Sequence, residues 1–138
     1  MLKRMIMHCE IETKAIEEIN TTNILPQTSF WARVKNRHGF MPQAFRVIAT
    51  DDLVSPGGDG SRKTGDDMLV LLKYINENQC FAYTPYGPKI EPDFENHGIF
   101  LEELSEVLRP HLPDECLFIR YDLPWENQWA QENDRYGP

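Results

Sequence analysis

Cysteine, histidine and long apolar runs are scarce in this 138-residue sequence, and each scarcity excludes a class of protein. The cysteines, Cys9, Cys80 and Cys116, are odd in number and lack metal-ligand spacing, which predicts reduced thiols in a cytoplasmic protein. The four histidines are scattered, without the i, i+4 pairing that places two metal ligands on one helix face. No apolar run approaches the roughly 20 residues of a membrane-spanning helix, and residues 1–7 are too short and too polar for a signal peptide. We therefore expect no bound metal and no transmembrane segment.

Positive charge is also in short supply, because 14 lysines and arginines face 22 aspartates and glutamates and leave a net charge of −8. A surface that wraps nucleic acid is disfavoured, since the summed field would repel phosphates. The Gly-rich run at 55–65 lacks the Gly-Lys-Ser/Thr ending of a P-loop, and no serine lies in a nucleophile elbow. The cationic residues cluster at Arg33, Lys35 and Arg37, which leaves room for a local anion site.

Hydrophobic periodicity predicts alternating strands and helices. The predicted strands are 5–13, 44–50, 68–75, 80–85 and 115–122, and the predicted helices are 14–20, 27–39 and 98–108. Two hairpin links imply antiparallel pairs, while the helix before the last strand permits a parallel pair. This order predicts an α/β fold with a mixed, mostly antiparallel sheet and flanking helices.

Three finer expectations accompany this fold. The turn-rich run 55–67 is predicted to be a mobile hairpin loop, and strand 68–75 to be buried on both faces. The last strand, 115–122, is also predicted to be buried. Residues 1–124 are predicted to form one domain, and residues 125–138 a polar, loosely held tail.

The helix predicted at 27–39 combines an aromatic anchor with a cationic edge. Thr28 or Ser29 can cap its start, and Gly39 can end it in the left-handed conformation. A stripe at helical spacing is predicted to be buried: Phe30, Trp31 and Val34. Lys35 lies beside this anchor and is well placed to bind phosphate, although a solvated side chain is the plain alternative.

Asp122 is the second candidate, because it ends the last predicted strand, where open α/β sheets bind ligands. Its carboxylate can accept a proton from an amine or bind a cation. A salt bridge with Arg120, or a cap on the chain that follows, is an equally open alternative.

Three short motifs follow one another in the sequence: 27–35 with Gly39 and Phe40, then 81–88, then 118–122. In order and spacing they resemble the N-terminal part of the Fem-type aminoacyltransferases. Those enzymes build the interpeptide bridge of bacterial peptidoglycan by moving an amino acid from aminoacyl-tRNA to an amine of a muropeptide precursor. The resemblance covers roughly residues 24–122, and three ordered motifs are more specific than one.

The resemblance implies a fold like that of the acetyltransferase (GNAT) superfamily and a role for each candidate residue. Lys35 would contact the diphosphate of a UDP- or lipid-linked muropeptide, and Arg37 is a further substrate-binding candidate on the same helix. Asp122 would lie near the acceptor amine as the catalytic candidate. Because a carboxylate is a weak base for an ammonium, orienting the amine is as good a role as general base. Tyr86 and Gly87 would help wall the substrate cleft.

Full members of the family are longer and carry a second GNAT-like domain, which provides the site for the acceptor end of the tRNA. We therefore expect this chain to be incomplete as an enzyme and to meet aminoacyl-tRNA only through a missing second domain. Two other functions stay open. One is an acetyl-CoA-dependent N-acyltransferase, although the Gln/Arg-x-x-Gly-x-Gly/Ala turn for CoA is absent and no cofactor is expected. The other is a non-catalytic interaction module, in which an open sheet edge favours association, including a homo-oligomer.

Overall fold

A computed structural model describes residues 6–19, 25–52 and 61–125, and a five-stranded sheet runs through them. The strands lie side by side in the order in which they occur along the chain. They are β1 (Ile6–Lys14), β2 (Met41–Asp52), β3 (Ser61–Asn76), β4 (Gln79–Pro85) and β5 (Cys116–Asp122). Two α-helices flank the sheet: α1 (Ser29–Arg37) and α2 (His97–Leu108).

The pairing of the strands is mixed. Strands β1 to β4 form antiparallel pairs, and β4 pairs with β5 in parallel. A parallel neighbour needs a long crossover, which the segment containing α2 provides. The prediction of an α/β fold with a mixed, mostly antiparallel sheet and flanking helices is therefore confirmed.

Alternation of side chains along the strands builds one hydrophobic core on each face of the sheet. The core beneath α2 is the larger one: Phe45, Val47, Met68, Val70, Leu72, Phe100, Leu104 and Leu108. The core beneath α1 is smaller: Ile19, Ala32, Ala44, Leu69 and Leu71. Every residue from 68 to 72 is at most 1% exposed, so burial on both faces is confirmed there, whereas Ile75 is 59% exposed.

The prediction of a loop at 55–67 is wrong for residues 61–67, which form the polar first half of β3. Within that run, residues 61–67 pair with the second half of β2, from Arg46 to Asp52. Asp67 faces inward and its carboxylate binds Lys14 of β1, with both oxygens 2.9 Å from the ammonium nitrogen. Glycine and acidic residues are poor strand signals, and only the partner strand and this ion pair explain why they are extended. Residues 55–60 lie outside the described residues.

Other differences arise where local signals are weak. The described part of the helix predicted at 14–20 contains only a single 3₁₀ turn, Ile16–Glu18, since so short a segment gains little from helical hydrogen bonds. The prediction that β5 is buried is wrong: its residues are half-buried or exposed, and Leu117 and Phe118 are 54% and 51% exposed. Strand β5 is one of the two edge strands of the sheet, so only one neighbouring strand covers it.

Trp125 is the last residue described, and it packs against the start of α2. Its ring centroid lies 4.4 Å from that of His97 and 5.9 Å from that of Phe100, and its indole N–H donates to the carbonyl of Pro88 at 3.2 Å. The rest of the predicted tail, 126–138, lies outside the described residues. Within the described part of the chain, no helix is long and apolar enough to cross a membrane.

Candidate functional site

Helix α1 holds Lys35 between two aromatic rings. Thr28 caps the helix by accepting a hydrogen bond from the backbone N–H of Trp31 at 3.2 Å, and Gly39 follows with a φ of 89°, so both predicted ends are confirmed. The Lys35 ammonium lies 5.1 Å from the centroid of the Trp31 ring and 5.4 Å from that of Phe40. Cation–π attraction to two rings limits where this long side chain points.

The predicted buried stripe of α1 needs one correction. Ala32 is the buried residue of the helix, Trp31 and Val34 are half-buried, and Phe30 is 57% exposed. A nine-residue helix lying on a sheet buries only a narrow stripe. Phe30 falls beside this stripe, and the anchor of Lys35 is therefore Trp31 together with Phe40.

Asp122 ends β5 with its carboxylate held from two sides. One oxygen accepts a hydrogen bond of 2.5 Å from the Tyr83 hydroxyl, and the other lies 3.4 Å from Nε of Arg120. The Arg120 guanidinium also lies 5.7 Å from the centroid of the Tyr83 ring. Burial raises the pKa of Tyr83, and the Asp122 carboxylate raises it further, to about 12. The hydroxyl therefore stays protonated at neutral pH and can donate its hydrogen bond to Asp122. The predicted Arg120 salt bridge is present, but Tyr83 is the closer partner.

The turn after β4 contacts the same end of β5. The N–H of Gly87 donates to the backbone carbonyl of Asp122 at 3.2 Å, and the Gly87–Pro88 peptide bond is cis. Tyr86 has a φ of 50°, which is unusual for a side chain of its size, and it is 52% exposed. Tyr86, Gly87 and Asp122 are therefore neighbours, at the carboxyl ends of two parallel strands.

Gln27 connects this turn to the start of α1. Its side chain is buried and donates to the Pro85 carbonyl at 2.5 Å, while its own oxygen accepts from the N–H of Leu69 at 2.8 Å. A Cβ added to Gly87 would lie only 2.8 Å from the Gln27 amide nitrogen, so glycine is required for this close approach. The helix that carries Lys35 is thus fastened to the turn beside Asp122.

Tyr83 places the two candidate residues on one face of the sheet. Its ring packs against the core beneath α1, where Trp31 and Phe40 also pack. Side chains two residues apart on a strand share a face, so Phe118, Arg120 and Asp122 of β5 lie on this side too. The Phe118 ring accordingly stacks on that of Phe81 at 5.4 Å. We call Lys35, Phe40, Tyr83, Arg120 and Asp122 the α1-side site.

Arg37 is a predicted substrate-binding residue that has no contact with the α1-side site in the described part of the chain. It is exposed at the end of α1 and has no hydrogen bond, ion pair or ring contact within the described residues. Its role stays a prediction. Sequence reasoning missed Tyr83 and Gln27, although the i, i+2 spacing of Phe81 with Tyr83 and of Arg120 with Asp122 was a usable signal for the shared face.

The α1-side site combines two cationic and two aromatic side chains with one carboxylate. Such a surface can bind an anion at Lys35 and place an ammonium or hydroxyl group near Asp122. Within residues 6–19, 25–52 and 61–125, no group of three or more His, Cys, Asp and Glu side chains could hold a metal ion. A cleft of about 400 Å³ between the end of α2 and β5 and another of about 360 Å³ beside Lys14 lie outside the α1-side site.

Comparison with known proteins adds no assignment. The chain matches no protein-family model, no curated protein and no solved structure. Any function must therefore be argued from the residues of the α1-side site and from the sequence motifs that supply them.

Proposed function

We propose that this chain is the muropeptide-binding N-terminal part of a Fem-type aminoacyltransferase with a GNAT-like fold, acting in the cytoplasm. The observation that carries the proposal is that α1, the turn after β4 and the end of β5, which contain the three motifs, contact one another through Gln27, Gly87 and Tyr83. The five-stranded mixed sheet is compatible with such a fold. Aminoacyl-tRNA would be bound by a second domain outside this sequence.

Each residue has a distinct role in this proposal. Lys35 binds the diphosphate that joins the muropeptide to its uridine or lipid carrier, because an ammonium held by two rings is a pre-positioned anion ligand. Asp122 accepts a hydrogen bond from the acceptor amine and directs the lone pair of its nitrogen toward the aminoacyl ester. Tyr86 and Gly87 wall the cleft, and Arg37 adds a second positive charge at the end of α1.

Asp122 is better suited to orienting the amine than to removing its proton. Its carboxylate already accepts a hydrogen bond from Tyr83 and lies beside the Arg120 guanidinium, and these two contacts limit how the carboxylate can turn. Any carboxylate is a weak base for an ammonium, whereas one held from two sides can keep a bound amine in a fixed direction.

Titration with a UDP-linked muropeptide tests the proposal. We expect the parent chain to bind, and Lys35→Ala to weaken binding about tenfold or more, because a charge-assisted contact to phosphate is lost. Lys63→Ala is the matched control, since Lys63 is an exposed lysine on β3 and should leave affinity unchanged within about twofold. Equal affinities for the parent and Lys35→Ala would remove the phosphate role of Lys35.

A non-catalytic interaction module is the second candidate, because β5 is an edge strand with Leu117 and Phe118 exposed. The same titration separates the two. No muropeptide binding by the parent chain would remove the leading proposal and leave the interaction module. An acetyl-CoA-dependent N-acyltransferase would become a candidate only if CoA raised the melting temperature of the chain.

A further inference from the structure

Lys73 places a second ammonium group beside Phe40, one of the two rings that lie near Lys35. No sequence motif points to this residue. It lies on β3, and its nitrogen donates to the carbonyl of His38 at 3.2 Å and lies 5.0 Å from the centroid of Phe40. The Lys35 nitrogen lies 5.4 Å from the same centroid. The two ammonium nitrogens are therefore at most 10.4 Å apart, the sum of those two distances.

Among the residues that the structure describes, these two positive charges have no acidic partner of their own. Within the described part of the chain, no carboxylate forms an ion pair with Lys35 or Lys73, although the whole chain carries an excess of acidic residues. Two like charges near one ring repel each other, and an anion between them would remove that repulsion. The geometry thus favours an anion with charge to share between both lysines.

Lys73 also has a structural role, which uses only one of the three N–H donors of its ammonium group. It binds a carbonyl just past the end of α1, and cations stabilise a helix at that end. A Cβ added to Gly39 would lie only 2.9 Å from the Lys73 ammonium nitrogen. The absence of a side chain at Gly39 therefore leaves room for the lysine. An ammonium has three N–H donors, and one bond to His38 leaves the others for a ligand.

We propose that Lys35 and Lys73, which both lie beside the ring of Phe40, form a two-cation site that prefers a diphosphate to a single phosphate. The proposal deepens the proposed function, since the diphosphate met in the cell would be that of the UDP- or lipid-linked muropeptide. A diphosphate presents oxygens on two phosphorus atoms, so each ammonium can bind a different phosphoryl group. A single phosphate has to share the oxygens of one phosphorus atom between both ammonium groups.

Calorimetric titration with inorganic pyrophosphate and with orthophosphate tests the preference. We expect the parent chain to bind pyrophosphate about tenfold or more tightly than orthophosphate, and Lys73→Gln to weaken pyrophosphate binding about tenfold. The glutamine amide keeps one N–H donor for the His38 carbonyl, so it removes the charge and spares the helix end. Lys63→Gln, the same change at an exposed position of the same strand, should stay within about twofold of the parent.

A second measurement needs no variant. Pyrophosphate should slow chemical acetylation of Lys35 and Lys73 in the parent chain, read by mass spectrometry, and leave the exposed Lys63 and Lys89 unchanged. Equal acetylation of Lys73 with and without pyrophosphate overturns the proposal. So does equal pyrophosphate affinity in the parent and a folded Lys73→Gln chain.

The muropeptide titration distinguishes two outcomes: that the two-cation site is wrong, and that the proposed function is wrong. If the UDP-linked muropeptide binds the parent and Lys73→Gln equally, the two-cation site is wrong and the proposed function stands. If pyrophosphate binds through both lysines but the muropeptide does not bind, the two-cation site stands and the proposed function is wrong.

Discussion

At the scale of single residues, the hydrogen bond from Tyr83 to Asp122 sets the direction of the candidate catalytic carboxylate. The Tyr83 ring is fixed by its packing against the core beneath α1, and its hydroxyl reaches the carboxylate at 2.5 Å. The carboxylate oxygen it binds is thereby held in place, and the rotation of Asp122 about its side-chain bonds is restricted. Tyr83 is therefore a positioning residue for Asp122.

Tyr83→Phe should lower the free energy of unfolding at neutral pH by about 1 kcal/mol, because one charge-assisted hydrogen bond at a half-exposed site is lost. The pKa of Tyr83 is raised from 10.0 to about 12, so the folded state favours the protonated hydroxyl. This contribution is fully present below pH 10 and is lost as the pH rises through 12. Urea unfolding should show the parent losing stability more steeply than Tyr83→Phe in that window.

A double-mutant cycle with Asp122→Ala separates the bond from other effects of Tyr83. The two substitutions should be non-additive by roughly the energy of the hydrogen bond, since either one removes it. Additive effects, or equal alkaline slopes for the parent and Tyr83→Phe, would mean that the contact does not persist in solution.

At the scale of elements, Gln27 is the connection between α1, β3 and the end of β4. A nine-residue helix has little stability of its own, and its position depends on what it packs against. The Gln27 amide satisfies the N–H of Leu69 and the carbonyl of Pro85, two backbone groups on different strands. It therefore fixes where α1 begins, and through α1 the position of Lys35.

Gln27→Leu should lower the free energy of unfolding by about 3 kcal/mol, because two buried backbone groups lose their partner. Gln43→Leu is the matched control, since the buried side-chain oxygen of Gln43 has no hydrogen-bond partner among the described residues. Chemical denaturation of both variants measures the difference. Similar losses in the two would show that the Gln27 hydrogen bonds add nothing beyond side-chain packing.

At the scale of the whole molecule, an ion cluster joins three strands that are far apart in sequence. The Asp67 side chain of β3 is 1% exposed and lies 2.9 Å from the Lys14 ammonium of β1 and 3.6 Å from the Arg46 guanidinium of β2. A charge buried to this extent is tolerated only with its partners in place. The cluster thus ties the register of β1, β2 and β3.

Asp67→Asn should destabilise the fold by roughly 3 kcal/mol, because Lys14 loses its partner while remaining largely buried. Thermal unfolding should show a fall of roughly 10 °C in melting temperature. Asp66→Asn makes the same change one residue earlier. Burial is the main cause that raises the pKa of Asp66, so the charged form of this side chain adds nothing to the stability of the folded state. Removing its charge should therefore change the free energy of unfolding by no more than about 0.5 kcal/mol. Equal losses at both positions would contradict the special role of Asp67.

The sequence by itself determined the features that depend on near neighbours. The order of the five strands and of α1 and α2, the Thr28 cap, the left-handed Gly39 and the doubly buried stretch 68–72 were predictable, because capping, turn conformation and periodicity are local properties. Lys35 and Asp122 were also named as candidates from their places on these elements.

Only the tertiary structure decided which of these residues meet. The extension of β3 through 61–67, the bond from Tyr83 to Asp122 and the approach of Lys73 to Phe40 each join segments separated by many residues. Such contacts depend on the register of paired strands and on where a short helix lies across them. No local pattern specifies either, because register is set by the burial of whole faces at once.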